Sequence, residues 1–172
     1  MTFLGHTSLS GKMEGMHRFP VQLRYGDQDP NGHINNVKFI QFLEEARVRL
    51  GLLPLPAGAG GPGSFRDLTG DRTAAYVARQ EIEYVAPLLH GHGPVWVDVW
   101  VTRIGSTSLG YGFRLADESG DTVYAYAQAD MVQVDAATGR PTPLTGTQRE
   151  VLEGWMGEPV PFRSAVLAGQ GN

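Results

Sequence analysis

Two carboxylates, a histidine and three asparagines crowd the stretch "GDQDPNGHINNVKF", which runs from Gly26 to Phe39: Asp27, Asp29, Asn31, His33, Asn35 and Asn36. These types suit acyl transfer. A carboxylate can take a proton from water, or attack a carbonyl itself. A histidine beside it can orient that base or hand a proton to the leaving group. The segment that follows reads as a helix. A helix N-terminus leaves backbone N–H groups without partners and carries about half a positive charge. Aimed into a cleft, that end polarises a carbonyl and holds an oxyanion. Asn35 or Asn36 would serve as the N-cap.

The same residues have a plainer reading. Asp, Asn and Gly are turn formers, and "DPNG" is a strong turn signal. His33 could simply satisfy a turn carbonyl. Asn31 and Asn35 could tie the loop together. Asp27 stands two positions before Asp29 and would point to the other side of an extended segment. It reads as a turn or cap residue. On spacing alone the catalytic and structural readings both stand.

The elements that must position these residues are legible from periodicity. Residues 17–25, "HRFPVQLRY", alternate as a short strand, with Phe19, Val21 and Leu23 on one face. Residues 37–50, "VKFIQFLEEARVRL", place Phe39, Phe42, Leu43, Ala46 and Leu50 on one helical face. Gly51 can end that helix, and Pro54 and Pro56 forbid restarting it. Residues 54–72, rich in glycine and proline, read as one long irregular loop. Four strands are expected after it: 74–84, 95–104, 109–115 and 122–134. The third residue range in that series, with Tyr111, Phe113 and Leu115 on one face, leads to the polar turn "ADESGD". Ala125, Ala127 and Ala129 form a small-residue strip on which a helix could lie close. Residues 147–156 read as a short helix. Short turns between successive strands make the sheet antiparallel, and the long helix must cover one of its faces.

Composition narrows the function classes. The chain has 172 residues, enough for one domain with a sizeable core. Without cysteine it has no disulfide, no thiolate metal site and no cysteine nucleophile. It carries 14 basic and 18 acidic residues, a formal net charge of −4, with no basic run. Nucleic acid and anionic membrane are poor partners for such a surface. No apolar run approaches the roughly 18 residues of a membrane span. Residues 1–15 lack the charged start and apolar stretch of a signal peptide. The expectation is a soluble cytoplasmic protein. Its parts would be an extension at 1–16, one domain at 17–145, and a C-terminal helix and tail at 146–172.

"YGDQDPNGHINNVKFIQFLEEAR" resembles the first strand-to-helix signature of hotdog-fold acyl-CoA thioesterases, the 4-hydroxybenzoyl-CoA thioesterase-like family. The resemblance implies an α+β fold, a single hotdog domain in which a curved antiparallel sheet wraps a long central helix. It places the catalytic carboxylate on Asp29. It places the amide that binds the thioester carbonyl on Asn36, with Asn35 beside it at the substrate-binding end. "HINNVKF" is similar to the plant acyl-carrier-protein thioesterases. There the pattern D-x-N-x-H supplies the catalytic Asp, Asn and His, here Asp29, Asn31 and His33. The hydroxybenzoyl enzymes need no histidine at this position, and the plant enzymes are double-hotdog chains about twice as long, so only their motif carries over. The family implies a homodimer or homotetramer with interfacial active sites, an acyl-CoA substrate, and no metal or redox cofactor. The further acidic or cysteine residue that the plant enzymes carry on a later strand would match Glu81 as a helper, against the preferred reading of a solvent-facing strand residue.

Two rival functions remain. The hotdog enoyl-CoA hydratases resemble this motif, but place histidine five residues after the aspartate, not four. A non-catalytic acyl-CoA sensor would bind without turnover. Other features read more simply. "HGHG" at 90–93 lacks a third metal ligand. The glycines at 58–63 lack the lysine and serine of a phosphate loop. Arg66 and Arg72 flank that loop and could meet coenzyme A phosphates. Glu44 reads as a solvated helix residue. Trp96, Trp100 and Trp155 read as core or interface material.

Overall fold

The computed structural model describes residues 15–56, 63–91 and 93–163. The expected N-terminal extension, apart from its last two residues, therefore lies outside the described residues. So do residues 57–62 of the glycine-rich loop, His92 and the end of the C-terminal tail.

Strand β1 (His17–Val21) leads through a 3₁₀ turn at Tyr25–Asp27 to helix α1 (Asn36–Gly51). A short helix α2 (Phe65–Thr69) precedes β2 (Thr73–Tyr84), β3 (Val95–Ile104), β4 (Ser108–Ala116) and β5 (Val123–Asp135), and helix α3 (Gly146–Glu153) follows. All strand pairs are antiparallel, in the order β1-β3-β4-β5-β2. β1 and β2 are therefore the two edges. One long helix on one antiparallel sheet is the α+β arrangement expected of a hotdog domain.

The helical stripe is buried as its spacing requires: Phe39, Phe42, Leu43, Ala46 and Leu50 all join the main core. They meet Val95, Val97, Val99 and Val101, which alternate along β3. Each fully buried aliphatic side chain stabilises by roughly 1.5–3 kcal/mol, so this helix–sheet contact contributes substantially to the fold. The alanine strip of β5 is buried too. The close approach of α1, however, is to β1 and β3 rather than to β5. The strip thus packs in the core without being the seat of the helix.

Three expectations need correction. β1 stops at Val21, because the chain turns at Tyr25–Asp27, although Leu23 stays buried. The irregular stretch 54–72 contains α2. Its signal was present: Ser64 and Asp67 form a reciprocal capping box, and Phe65 anchors the turn in the core. The four later strands are not a simple meander. The segment between β2 and β3 crosses to the other side of the sheet, so β2 pairs with β5 and never with β3. That connection is too long to be a tight hairpin, and hairpin logic does not apply to it.

The opposite sheet face is also covered. Trp100 packs there with Val160 and Phe162, and its indole N–H donates to the Glu158 carbonyl at 2.7 Å. Gly112 lies flat beneath it: a Cβ there would come 2.6 Å from Trp100 Cε2. Asp98, fully buried on the same face, is paired with Arg114 Nε at 2.8 Å and Arg18 Nε at 3.5 Å.

Candidate active site

The polar stretch folds into a closed turn joined to a helix start. Asp29 Oδ1 accepts the backbone N–H of Asn31 at 2.8 Å and that of His33 at 3.2 Å. The Asp29 N–H donates to the His33 carbonyl at 2.7 Å, and the Gly32 N–H to the Asp29 carbonyl at 3.0 Å. Gly32 sits at φ 80°, where a side chain would be strained. Asp29, Asn31 and His33 are thus brought together. The contacts run through backbone N–H groups and the aspartate side chain. Among the described residues, no donor reaches the second carboxylate oxygen of Asp29, and the His33 ring makes no hydrogen bond.

Asp27 plays the part its spacing suggests. It is buried, accepts the Arg24 N–H at 2.8 Å, and pairs with Lys38 Nζ at 3.4 Å. Its carbonyl takes the Asn35 N–H at 2.8 Å. It holds the loop to the helix rather than facing a substrate.

Asn35 is the N-cap of α1, and its side chain accepts the Val37 N–H at 3.1 Å. Asn36 is the first helical residue. Among the described residues, nothing accepts its backbone N–H. A free N–H at the positive end of a helix can polarise an acceptor placed before it.

A cleft of about 330 Å³ opens at this point. His33, Asn36, Phe39, Tyr84 and Leu88 are among the residues that line it. Asn31, Asn35 and Asp29 are not. The cleft exists because the segment after β2 returns to the polar turn: the Ile34 N–H donates to the Leu88 carbonyl at 2.8 Å, and His33 bridges to Leu89. Tyr84 closes one side. Its hydroxyl donates to the Asn36 carbonyl at 3.2 Å, and its ring meets Phe39 edge-on at 5.2 Å. Burial pushes the Tyr84 phenol above its ordinary pKa, against a smaller opposing effect of the Asn36 hydrogen bond. It therefore stays a donor at neutral pH.

Sequence reasoning missed Tyr84 and the 84–88 segment as site material. The polar stretch carried the visible chemistry, and the wall comes from residues some fifty positions later in a connection without a motif of its own.

The other candidates sit apart. Glu81 pairs with Arg79 at 2.7 Å on β2, and Glu44 with Arg47 at 3.6 Å on α1. His90 is exposed and meets Tyr25 edge-on at 6.2 Å. Among the described residues, no group of three or more His, Asp or Glu is placed to hold a metal ion. No described helix is long and apolar enough to cross a membrane.

The family model of the thioesterase-like superfamily matches residues 23–168, which include the whole polar stretch and all of α1 to α3. The chain belongs to the thioesterase-like superfamily. Solved structures agree with this thioesterase-like assignment. A thioesterase from Thermus thermophilus, complexed with coenzyme A and Zn, is 28% identical with a TM-score of 0.66, covering 87% of this chain and 99% of that one. A predicted thioesterase from Bacillus stearothermophilus is 27% identical with a TM-score of 0.67, covering 84% and 98%. A 1,4-dihydroxy-2-naphthoyl-CoA thioesterase from Synechocystis, 16% identical with a TM-score of 0.65 over 80% and 95%, shares the fold. The comparison with curated protein sequences gives no match. The chain is a single hotdog domain of α+β class.

Proposed function

We propose that this protein hydrolyses an acyl-CoA thioester to a carboxylic acid and free coenzyme A. The observation that carries the reading is the unpartnered Asn36 N–H at the start of α1, beside a cleft lined by His33 and Tyr84. The thioester carbonyl oxygen would accept that N–H, and the helix end would stabilise the negative charge that develops on it. Water would add to the carbonyl carbon, its proton passing to the open oxygen of Asp29. The C–S bond would then break, and the thiolate would leave with a proton returned from Asp29 or supplied through His33. Asn31 and Asn35 would hold this geometry. A thiolate is a good leaving group, so a carboxylate base and one oriented dipole suffice.

Family relationship supports the substrate class. The Thermus relative was captured with coenzyme A, which is the leaving group of this reaction. A cytoplasmic location would suit a reaction of this kind. Asp29 does not line the cleft of a single chain, and an assembly that completed the cleft would account for that. β2 is an edge strand whose Tyr76, Val77 and Tyr84 are exposed. Such an edge is a template for pairing. We take it as the contact of a two-fold homodimer, or of a tetramer built from two dimers, with the cleft completed by the second copy.

The test is thiol release from short, medium, long and aromatic acyl-CoAs, read with a thiol-reactive dye. The chain has no cysteine of its own to react. Asp29→Asn should lower kcat by about 100-fold or more. Tight acyl-CoA binding with no release from any substrate would instead make the protein a sensor. Sedimentation as a monomer at assay concentration would remove the interfacial part of the reading.

A further inference from the structure

A second cavity, also about 330 Å³, lies at the other end of α1. It is enclosed by Arg47, Val48 and Gly51 of α1, by α2, and by the first residues of β2, with Tyr111 of β4 at its floor. None of its residues belongs to the cleft at Asn36.

Its polar side chains are Arg47, Arg66, Thr69, Thr73 and Tyr111. The hydroxyls of Thr69 and Thr73 donate to the carbonyls of Phe65 and Thr69, so neither has a hydrogen to offer a ligand. Tyr111 is only 5% exposed, yet among the described residues its hydroxyl has no hydrogen-bond partner. It is not sealed into the core, because the residue lines the cavity. A buried phenol without a partner is costly unless the space in front of it supplies one. The Arg47 side chain is 17% exposed and stands near enough to act electrostatically on that phenol. Its ion pair with Glu44 is long, at 3.6 Å, and Glu44 is itself 63% exposed. Solvent weakens such a pair. Val48, Phe65, Ala74 and Ala75 make the remaining walls apolar. Arg66 is exposed at the rim.

We propose that this cavity is a binding site for a small organic carboxylate, held by the Arg47 guanidinium and the Tyr111 hydroxyl with its apolar body against Phe65 and Val48. One half-buried cation matches a monoanion, and a planar guanidinium matches a carboxylate. Apolar walls disfavour a fully hydrated dianion such as phosphate. A volume near 330 Å³ is at the small end of ligand pockets, so the ligand is compact. This goes beyond the hydrolysis proposed above and does not depend on it.

The probe is benzoate, with benzamide as its neutral isostere and inorganic phosphate as the alternative anion, each titrated calorimetrically into the full chain. Benzoate should bind, more tightly than either control. Arg47→Met and Tyr111→Phe keep side-chain bulk and should each weaken benzoate by about tenfold, the scale of a lost hydrogen bond to a charged group. Benzamide should change little in Arg47→Met. Asp29→Asn should leave benzoate binding unchanged whatever it does to turnover, which separates the two proposals. Three results would overturn the site: no benzoate binding at about 10 mM, the upper end of weak ligand affinities; binding unchanged in both Arg47→Met and Tyr111→Phe; or phosphate binding tighter than benzoate. Thermal melts of both variants establish that they are folded.

Discussion

The Tyr84 hydroxyl donates to the carbonyl oxygen of Asn36 at 3.2 Å, and so ties the last residue of β2 to the first residue of α1. The bond fixes where the helix end lies relative to the cleft wall. Tyr84→Phe keeps the ring contact with Phe39 and removes only the hydroxyl. It should cost about 1 kcal/mol or less in urea unfolding, since the group is partly exposed. Activity should fall through kcat more than through KM, because the lost bond orients the helix end rather than binding the substrate's bulk. Equal kcat in both proteins would deny Tyr84 that role.

The N–H of Asn36 can be deleted without breaking the helix. Proline is tolerated at the first helical position, where its missing N–H has no intrahelical partner. Asn35, with φ −59° and ψ 135°, already has the backbone that a following proline demands. Asn36→Pro should therefore fold, and should lose roughly 100-fold or more in kcat, the cost of one oxyanion donor. Asn36→Ala keeps the N–H and should retain most activity. If the two variants behaved alike, the side chain and not the backbone would be the functional group.

Asp98 makes a different prediction, about stability alone. It is fully buried between two arginines, the nearer at 2.8 Å. Asp98→Asn removes the charge and leaves Arg18 and Arg114 facing a neutral amide on a covered face. The loss should be about 3 kcal/mol, the lower end for a broken buried pair because both arginines retain some solvent. The drop in urea midpoint is the readout. Rates per folded molecule should be unchanged, because the pair lies behind the sheet from the cleft.

Acid stability should depend on turn carboxylates, Asp67 and Asp135 among them. Hydrogen bonds from the side chain and backbone of Ser64 hold Asp67 below its ordinary pKa of 3.8, and those of Thr138 do the same for Asp135. A lowered folded pKa means the unfolded chain binds protons first. These contributions are therefore complete above about pH 4 and are lost as the pH falls through the folded values. Asp67→Asn and Asp135→Asn should each flatten the decline of Tm below pH 4. An unchanged slope in both would locate the acid sensitivity elsewhere.

The sequence announced the helix and the strands with little ambiguity, since Phe39, Phe42, Leu43, Ala46 and Leu50 keep strict helical spacing and Val95 to Val101 alternate strictly. Register and order were less visible. Nothing in the local pattern of 73–84 distinguishes pairing with its neighbour β3 from pairing with the distant β5. The site was legible where it is local. Asp27, Asp29, Asn31, His33 and the Asn35 cap all interact within a few residues of one another. Tyr84 and Leu88 were hidden because their role comes from tertiary return of the chain. The sequence places Tyr111 only on one strand face with Phe113 and Leu115, and its open hydroxyl depends on what α1 and α2 leave uncovered.

The order β1-β3-β4-β5-β2 has a consequence for how the protein is made. Both edge strands belong to the first half of the chain, and all their partners belong to the second. While residues 17–84 emerge from the ribosome, α1 can coil but neither β1 nor β2 has a strand to pair with. Synthesis of β5, ending at Asp135, must come before β2 can dock and the Asn36 cleft can acquire its Tyr84 wall. Contacts this distant in sequence close slowly. The nascent first half thus carries the α1 stripe without its β3 partner until Val101 is made, and β2 without its ladder until Asp135 is made. A chain arrested before β5 should be a client for chaperones, and one arrested after it should not.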